Sequence, residues 1–153
     1  MKKFFIVIFI IIVLCGCSSS KIDNEKNLYL KYIKELKSVK KSTKEYPFDI
    51  EVRYDRITKD EIRYQIVIDN VKQDITDIEA LAIHNRPTDD IFPSIGIFDD
   101  KQKLGINKKP EGIILVGYIN YSGKIEDFKC EIKLLVKYKI NKKVKKVYYV
   151  TKK

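Results

Sequence analysis

The sequence of 153 residues predicts a mainly β fold: an immunoglobulin-like β-sandwich of about seven strands, with one N-terminal amphipathic helix. Two observations support this prediction. Apolar and polar residues alternate in several segments after Pro47, and turn residues separate those segments at short, regular intervals. Helical periodicity is confined to residues 24–45. The chain has no tryptophan, so the hallmark of antibody domains is missing and the prediction concerns architecture alone.

The helix is predicted from about Asn24 to Glu45. Asn24 or Asp23 would cap its start, and Pro47 disfavours helix just ahead of it. We expect the apolar stripe of this helix to pack on the domain; the alternative is that it lies flat on a membrane. The stripe recurs at helical spacing: Leu28, Tyr29, Tyr32, Ile33 and Leu36.

Four strands are predicted in the middle of the chain. Residues 48–54 and 62–68 alternate with period two, and the turn at 58–60 would join them in a hairpin. Residues 78–84 form a third strand and 95–98 a short fourth.

Three further strands are predicted in the last third. Residues 112–121 are apolar on both faces, as in a central strand. Residues 128–140 alternate, and only Leu135 interrupts their polar face. With turns at 122–123 and 141–142, and a last strand at 144–150, these segments predict a three-stranded meander.

The N-terminus has the order of a secretory signal. Lys2 and Lys3 precede an unbroken apolar run, Phe4 to Leu14, and small residues follow it. A transmembrane helix needs about 20 apolar residues, and this run is shorter. We therefore expect residues 1–16 to be a signal peptide that is removed.

The cleavage zone, Leu14-Cys15-Gly16-Cys17, resembles the lipobox of bacterial lipoproteins. The resemblance covers residues 1 to about 18. It implies that Cys17 receives a diacylglyceryl group on its sulfur, becomes the new N-terminus and anchors the protein on the extracytoplasmic side of the bacterial cell membrane. Residues 17–24 would be the lipidated tether and 25–153 a single domain. The alternative is ordinary signal cleavage, with Cys17 incidental.

Two residues with reactive side chains have simpler interpretations. Cys130 would be the only unmodified cysteine of the mature chain, and we expect a buried thiol on the apolar face of its strand. His84 is the only histidine. No nucleophile elbow, zinc-binding helix or Cys-x-x-Cys pair accompanies it. We therefore predict neither a catalytic site nor a cofactor or metal.

Charge is unevenly placed along the chain. Residues 137–153 contain eight lysines and no acid, whereas residues 46–100 carry 13 acids and 6 bases. The lysines around the last turn could contact anionic head groups or wall polymers, or they could only protect a sheet edge. Nucleic acid is not expected as a partner. The candidate contact residues are Lys142, Lys143, Lys145 and Lys146.

The segment 85–112 is a candidate partner-binding loop, because long loops inside compact domains are often functional. Its paired acids could suggest Ca²⁺, but their spacing does not fit a calcium loop. Its apolar residues could also close the end of the sandwich as core. The candidate residues are Asp89, Asp90, Ile91, Phe92, Phe98, Asp99 and Asp100.

Three functions remain open from the sequence. The first is a non-enzymatic, membrane-anchored binding or adaptor module at the cell envelope, which we expect because no catalytic motif is present. The second is an extracytoplasmic enzyme that acts on wall or peptide substrates. The third is a passive structural or lipid-binding surface protein.

Overall fold

The computed structural model describes residues 17–106 and 112–153, with side chains of the helix described from Ser20 onward. Within these residues the fold is mainly β, with eight strands in two antiparallel sheets and one α-helix, α1, Cys17–Ser38. The strands are β1 (Asp49–Thr58), β2 (Glu61–Asp69), β3 (Ile75–His84), β4 (Ser94–Ile95), β5 (Gln102–Leu104), β6 (Ile113–Asn120), β7 (Glu131–Ile140) and β8 (Lys143–Lys152). Among these residues, no helix has the length and apolar character needed to cross a bilayer.

The first sheet has the order β1-β2-β6, and the second has the order β4-β3-β7-β8, with β5 also paired to β3. Two predicted hairpins are confirmed: β1 pairs with β2, and β7 pairs with β8. Asn141 and Lys142, in the turn of the second hairpin, both have positive φ, 49° and 65°. This is the backbone twist that two-residue hairpin turns favour.

One apolar core lies between the two sheets. Alternate residues of β2 and β6 face alternate residues of β3 and β7 across it, as period-two strands require. Phe48, ahead of β1, and Phe128, ahead of β7, are among its largest fully buried side chains. The predicted alternation of the main strands is therefore confirmed.

A second core lies on the other face of the second sheet, beneath α1. Tyr32 and Leu36 of the helix pack there against Leu81, Ile83 and Leu135 of the sheet. The prediction that the helical stripe packs on the domain is confirmed. The second core also explains why Leu135 interrupts a polar face: that face lies under the helix.

The bounds of the helix differ from the prediction. It begins at Cys17 and ends at Ser38, so the predicted tether, residues 17–24, is helical. Lys21 and Glu25 form an ion pair of 3.7 Å one turn apart, which supports the helix there. No side chain from 20 to 27 is buried, and the first half of α1 therefore extends away from the sheet.

The predicted meander is wrong. β6 pairs with β2 in the first sheet, whereas β7 pairs with β3 and β8 in the second. The segment after β6 is not a hairpin turn: residues 121–130, which include a short 3₁₀ helix at Ile125–Asp127, connect one sheet to the other.

The predicted central position of β6 is also wrong. β6 is an edge strand, and its outward residues Ile114, Val116 and Tyr118 are 52%, 38% and 45% exposed. Its apolar composition on both faces therefore does not reflect burial on both faces.

The middle of the chain is less regular than predicted. The short fourth strand is present only at Ser94–Ile95, and β5 was not predicted. Both pair with β3. Such short strands leave little periodicity in a sequence.

Candidate functional site

The residues of the predicted partner-binding loop do not form one surface. Phe92 and Phe98 turn toward the helix: the Phe92 N–H donates to the Tyr29 hydroxyl at 2.8 Å, and the Phe98 and Tyr29 ring centroids are 5.3 Å apart. Ile91 is 81% exposed.

The two Asp-Asp pairs of this loop are exposed, and both lie in locally hydrogen-bonded turns. The Gly96 N–H donates to Asp99 Oδ1 at 2.6 Å, and the Asp90 N–H donates to Thr88 Oγ1 at 3.0 Å. Asp89 and Asp100 are exposed at the surface. Among residues 17–106 and 112–153, no group of three metal-ligating side chains occurs.

His84 lies at the end of β3 inside an aromatic cluster. Its ring centroid is 5.6 Å from that of Tyr64 and 5.2 Å from that of Phe92, both edge to face. Burial lowers the pKa of His84, which favours the neutral imidazole. Its Nδ1 is buried, and no described residue forms a hydrogen bond with it. A cavity of about 210 Å³ adjoins the ring, and its lining includes Thr88 and Asp90.

Cys130 is buried, as predicted, at 3% exposure. Burial raises the pKa of its thiol to about 11. Its Sγ lies 3.7 Å from the Glu131 carbonyl oxygen. The thiol is therefore part of the core.

The four predicted contact lysines divide into two groups. Lys142, Lys143 and Lys145 are exposed, and none of them forms an ion pair with a described residue. Lys146 binds Glu35 of the helix at 2.9 Å, and its Nζ lies 5.5 Å from the centroid of the Tyr32 ring. Lys146 therefore holds the helix on β8.

A second charged cluster, missed by sequence analysis, fixes the helix at its centre. Glu79 of β3 is 1% exposed, beneath α1. The Tyr32 hydroxyl donates to Glu79 Oε2 at 2.5 Å, and Lys101 and Lys137 bind the carboxylate at 2.5 and 3.0 Å. Burial raises the pKa of Glu79, but these three donors outweigh it, and the net shift is downward.

An open cleft of about 930 Å³ lies beside β8, the edge strand of the second sheet. We call it the lysine–tyrosine cleft. Its walls come from the segment after the helix, the loop after β2 and the facing ends of β7 and β8. The lining residues are Thr43, Lys44, Glu45, Tyr46, Pro47, Phe48, Asp49, Lys72, Gln73, Tyr138, Ile140, Lys145, Lys146 and Val147.

Hydrogen bonds to the edge of β8 hold one wall of the cleft in place. The Thr43 N–H donates to the Tyr148 carbonyl at 2.8 Å, and the Tyr148 N–H donates to Thr43 Oγ1 at 2.9 Å. The Val150 N–H donates to Ser42 Oγ at 2.9 Å. These bonds partly cover the exposed strand edge and position residues 43–49.

The floor of the cleft is aromatic. Phe48 stacks with Tyr46 at 5.4 Å and meets Tyr138 edge to face at 5.4 Å. Tyr138 is 3% exposed, yet it lines the cleft, and its hydroxyl bonds to no other described residue. Burial raises the pKa of both Tyr46 and Tyr138, so both hydroxyls stay protonated near neutral pH.

The charges of the cleft are mostly free for a ligand. Lys44, Lys72 and Lys145 are exposed, and no described acid pairs with them. Two acids share the lining: Glu45, and Asp49, which accepts a hydrogen bond from Asn70 at 2.6 Å. Only Lys145 and Lys146 of this lining were singled out from sequence. Lys44 and Lys72 are far from them in the chain, and no local pattern links them.

Neither a protein-family model nor a curated protein matches this chain. Among solved structures, the chain shows a distant likeness to one described as "Crystal structure of protein from Archaeoglobus fulgidus". The two are 9% identical, the alignment covers 69% of this chain and 92% of the other, and the TM-score is 0.34.

Proposed function

We propose that the protein is a lipid-anchored, extracytoplasmic and non-enzymatic binding module of the bacterial cell envelope. The observation that carries the proposal is the run Leu14-Cys15-Gly16-Cys17, directly followed by a helix that leads into the domain. A lipid on Cys17 would therefore sit at the first residue of α1.

The position of Cys17 suggests how such an anchor would hold the domain. From Cys17 to Leu28 the helix rises about 17 Å at 1.5 Å per residue, and residues 20–27 have no buried side chain. This half of α1 would act as a stiff spacer. Buried acyl chain contributes about 0.8 kcal/mol per CH₂, so the lipid would dominate attachment.

The lysine–tyrosine cleft favours binding over catalysis. Apart from the carboxylates of Glu45 and Asp49, its ionisable groups are lysine ammonium groups and two tyrosine hydroxyls, and burial keeps those hydroxyls protonated. Such groups donate hydrogen bonds to anionic oxygens but do not accept protons near neutral pH. They suit recognition of an anionic partner.

We also propose that the two sheets form an immunoglobulin-like sandwich. The shared apolar core and the placement of β6 and β7 in opposite sheets support this architecture. The helix on the outer face of the second sheet would be an addition to it. A crystal structure with a different strand order, or with sheets that do not face each other, would overturn this assignment.

The anchor is tested by metabolic labelling with a fatty-acid probe in the native host. Cys17→Ala should lose the label and move the protein from the membrane fraction to the medium, or leave it as an unprocessed precursor. Cys130→Ala is the matched control and should keep both the label and the membrane location. Label retained on Cys17→Ala would contradict the proposal.

A further inference from the structure

We infer that the lysine–tyrosine cleft binds a linear, phosphate-bearing polymer of the envelope, a chain of phosphodiesters joined by short polyol units. This inference deepens the proposed function and relies on it only for where the protein meets such a polymer. The site itself rests on the shape, the donors and the charges of the cleft.

The shape of the cleft suits an extended chain. Its volume of about 930 Å³ is near the upper end of the roughly 300–1,000 Å³ typical of ligand sites. It is open to solvent rather than closed around a small molecule. Its two main walls, residues 43–49 and the start of β8, are joined by the hydrogen bonds at Thr43 and Tyr148. The groove is therefore formed before any ligand binds.

The donors of the cleft match phosphate oxygens. Lys44, Lys72 and Lys145 are exposed on its walls and pair with no acid among the described residues, and the Tyr138 hydroxyl adds a neutral donor at its buried floor. Charge-assisted bonds from ammonium to phosphate are stronger than neutral ones. The ring of Tyr46, which is partly exposed and stacks on the buried Phe48, offers an apolar surface to the carbon atoms between phosphates.

The two acids of the lining limit how the ligand can lie. Asp49 is held by Asn70, and Glu45 stands on the wall next to Lys44. A compact, highly charged ligand would meet both carboxylates. A chain with spaced single charges can place each phosphate near a lysine and its uncharged links near the acids.

A polymer fits this site better than the surface of a bilayer does. The lining is concave, whereas head groups present a broad, nearly flat layer. The exposed lysines best placed for a flat surface are Lys142 and Lys143, at the tip of the β7–β8 turn outside the cleft. Binding to the polymer should therefore depend on the lysines of the cleft, and binding to bilayer head groups should depend on Lys142 and Lys143.

Binding is tested without detergent on the mature chain, residues 17–153, with Cys17→Ser, so that no lipid anchor inserts into the vesicle probes. The probes are a poly(glycerol phosphate) oligomer, inorganic phosphate, and vesicles of phosphatidylcholine with and without phosphatidylglycerol. The site variant is Lys44→Gln/Lys72→Gln/Lys145→Gln. A matched control, Lys103→Gln/Lys124→Gln/Lys129→Gln, removes the same charge from exposed, unpaired positions elsewhere. A third variant is Lys142→Gln/Lys143→Gln.

We expect the oligomer to bind at low salt, and the site variant to bind it about tenfold or more weakly. The matched control should stay within about threefold of the wild type. Binding should weaken as salt shortens the Debye length toward about 8 Å. Inorganic phosphate should bind far more weakly than the oligomer, because it reaches one lysine at a time. All three variants should keep the thermal midpoint, since the substituted side chains are exposed.

Four results would overturn the inference. They are the absence of oligomer binding at low salt, equal loss in the site and matched-control variants, inorganic phosphate binding as tightly as the oligomer, and binding to anionic vesicles alone that depends on Lys142 and Lys143. None of them bears on lipidation, which the labelling of Cys17→Ala tests separately.

Discussion

Cys130 illustrates how burial controls the chemistry of one residue. The side chain is 3% exposed, and burial raises the pKa of its thiol to about 11. Only the thiolate reacts rapidly with a maleimide. At pH 8, about one in a thousand thiols with this pKa is present as the thiolate. Low exposure and low ionisation both slow its reaction.

We predict that Cys130 reacts with maleimide at least about a hundredfold more slowly in the native protein than in denaturant. The chain with Cys15→Ser/Cys17→Ser leaves Cys130 as the sole thiol for the measurement. A matched chain with the same changes plus Cys130→Ala and Val144→Cys carries its thiol at a position that is 55% exposed. That control should react rapidly in both conditions. Rapid native labelling of Cys130 would mean that this side of the core is open to solvent.

At the scale of elements, α1 is held by an apolar stripe and two carboxylates. Leu36 is fully buried in the second core, whereas Leu30, on the same helix, is 51% exposed. Glu35 binds Lys146 and accepts a hydrogen bond from the Tyr148 hydroxyl, and Glu79 accepts one from Tyr32. The helix is therefore an integral layer of the domain.

We predict that Leu36→Ala lowers the free energy of unfolding by about 2–5 kcal/mol, because it removes buried methyl groups and leaves a cavity. Leu30→Ala, the matched control, should change it by less than about 0.5 kcal/mol. Urea unfolding followed by circular dichroism measures both. Similar losses in the two variants would show that α1 does not dock through this face.

Much of this element structure could be predicted from sequence because it is local. The spacing of the helical stripe located α1 but not its bounds, and the alternation in β1, β2 and β7 located those strands correctly. The sheet order could not be predicted in the same way. A run that is apolar on both faces predicts burial on both faces, but β6 is an edge strand with Val116 exposed. Whether a chain turns back or crosses to the other sheet at 121–130 depends on pairing with the distant β2.

The cleft and the Glu79 cluster could not be predicted for the same reason. Lys44, Lys72 and Lys145 come from three separate segments, and a sequence window cannot contain all of them. The cluster around Glu79 likewise joins α1, β3, β7 and the loop at Lys101. The sequence contains one local sign of the second core: Leu135, which belongs to that core, interrupts an otherwise polar strand face.

At the scale of the whole molecule, the fold reduces the charge separation seen along the chain. β3, from the acidic middle, pairs with β7, from the basic end. Lys137 binds Glu79 at 3.0 Å, and Lys139 binds Asp77 at 2.7 Å. Lys146 pairs with Glu35, and Lys152 pairs with Glu131. Four of the eight lysines in residues 137–153 are therefore in ion pairs. Of the four lysines without an ion pair to a described residue, Lys153 lies 4.9 Å from the centroid of the Tyr54 ring, and Lys142, Lys143 and Lys145 stand in or beside the cleft.

These ion pairs link stability to pH, and Glu79 is the most buried carboxylate among them. Its pKa is lowered in the folded state, so the unfolded chain takes up a proton more readily than the folded one. The stabilisation from Glu79 is therefore complete above the unfolded pKa, about 4.3, and is lost as pH falls through the lower folded value. The thermal midpoint should be nearly constant from pH 8 to about pH 5 and then fall.

We predict that Glu79→Gln lowers the free energy of unfolding at pH 7 by about 1–3 kcal/mol, because the charged acceptor of the Tyr32 hydroxyl is lost while Lys101 and Lys137 stay partly solvated. The variant should also lose part of the acid dependence, so that its thermal midpoint approaches that of the wild type below about pH 4. Glu51→Gln is the matched control: the pKa of Glu51 is lowered by Arg53, but the pair is exposed, and such pairs contribute little. Differential scanning calorimetry from pH 2 to pH 8 measures the three curves. If the Glu79→Gln and wild-type curves stay parallel down to pH 2, the helix is held by its apolar stripe and not by this carboxylate.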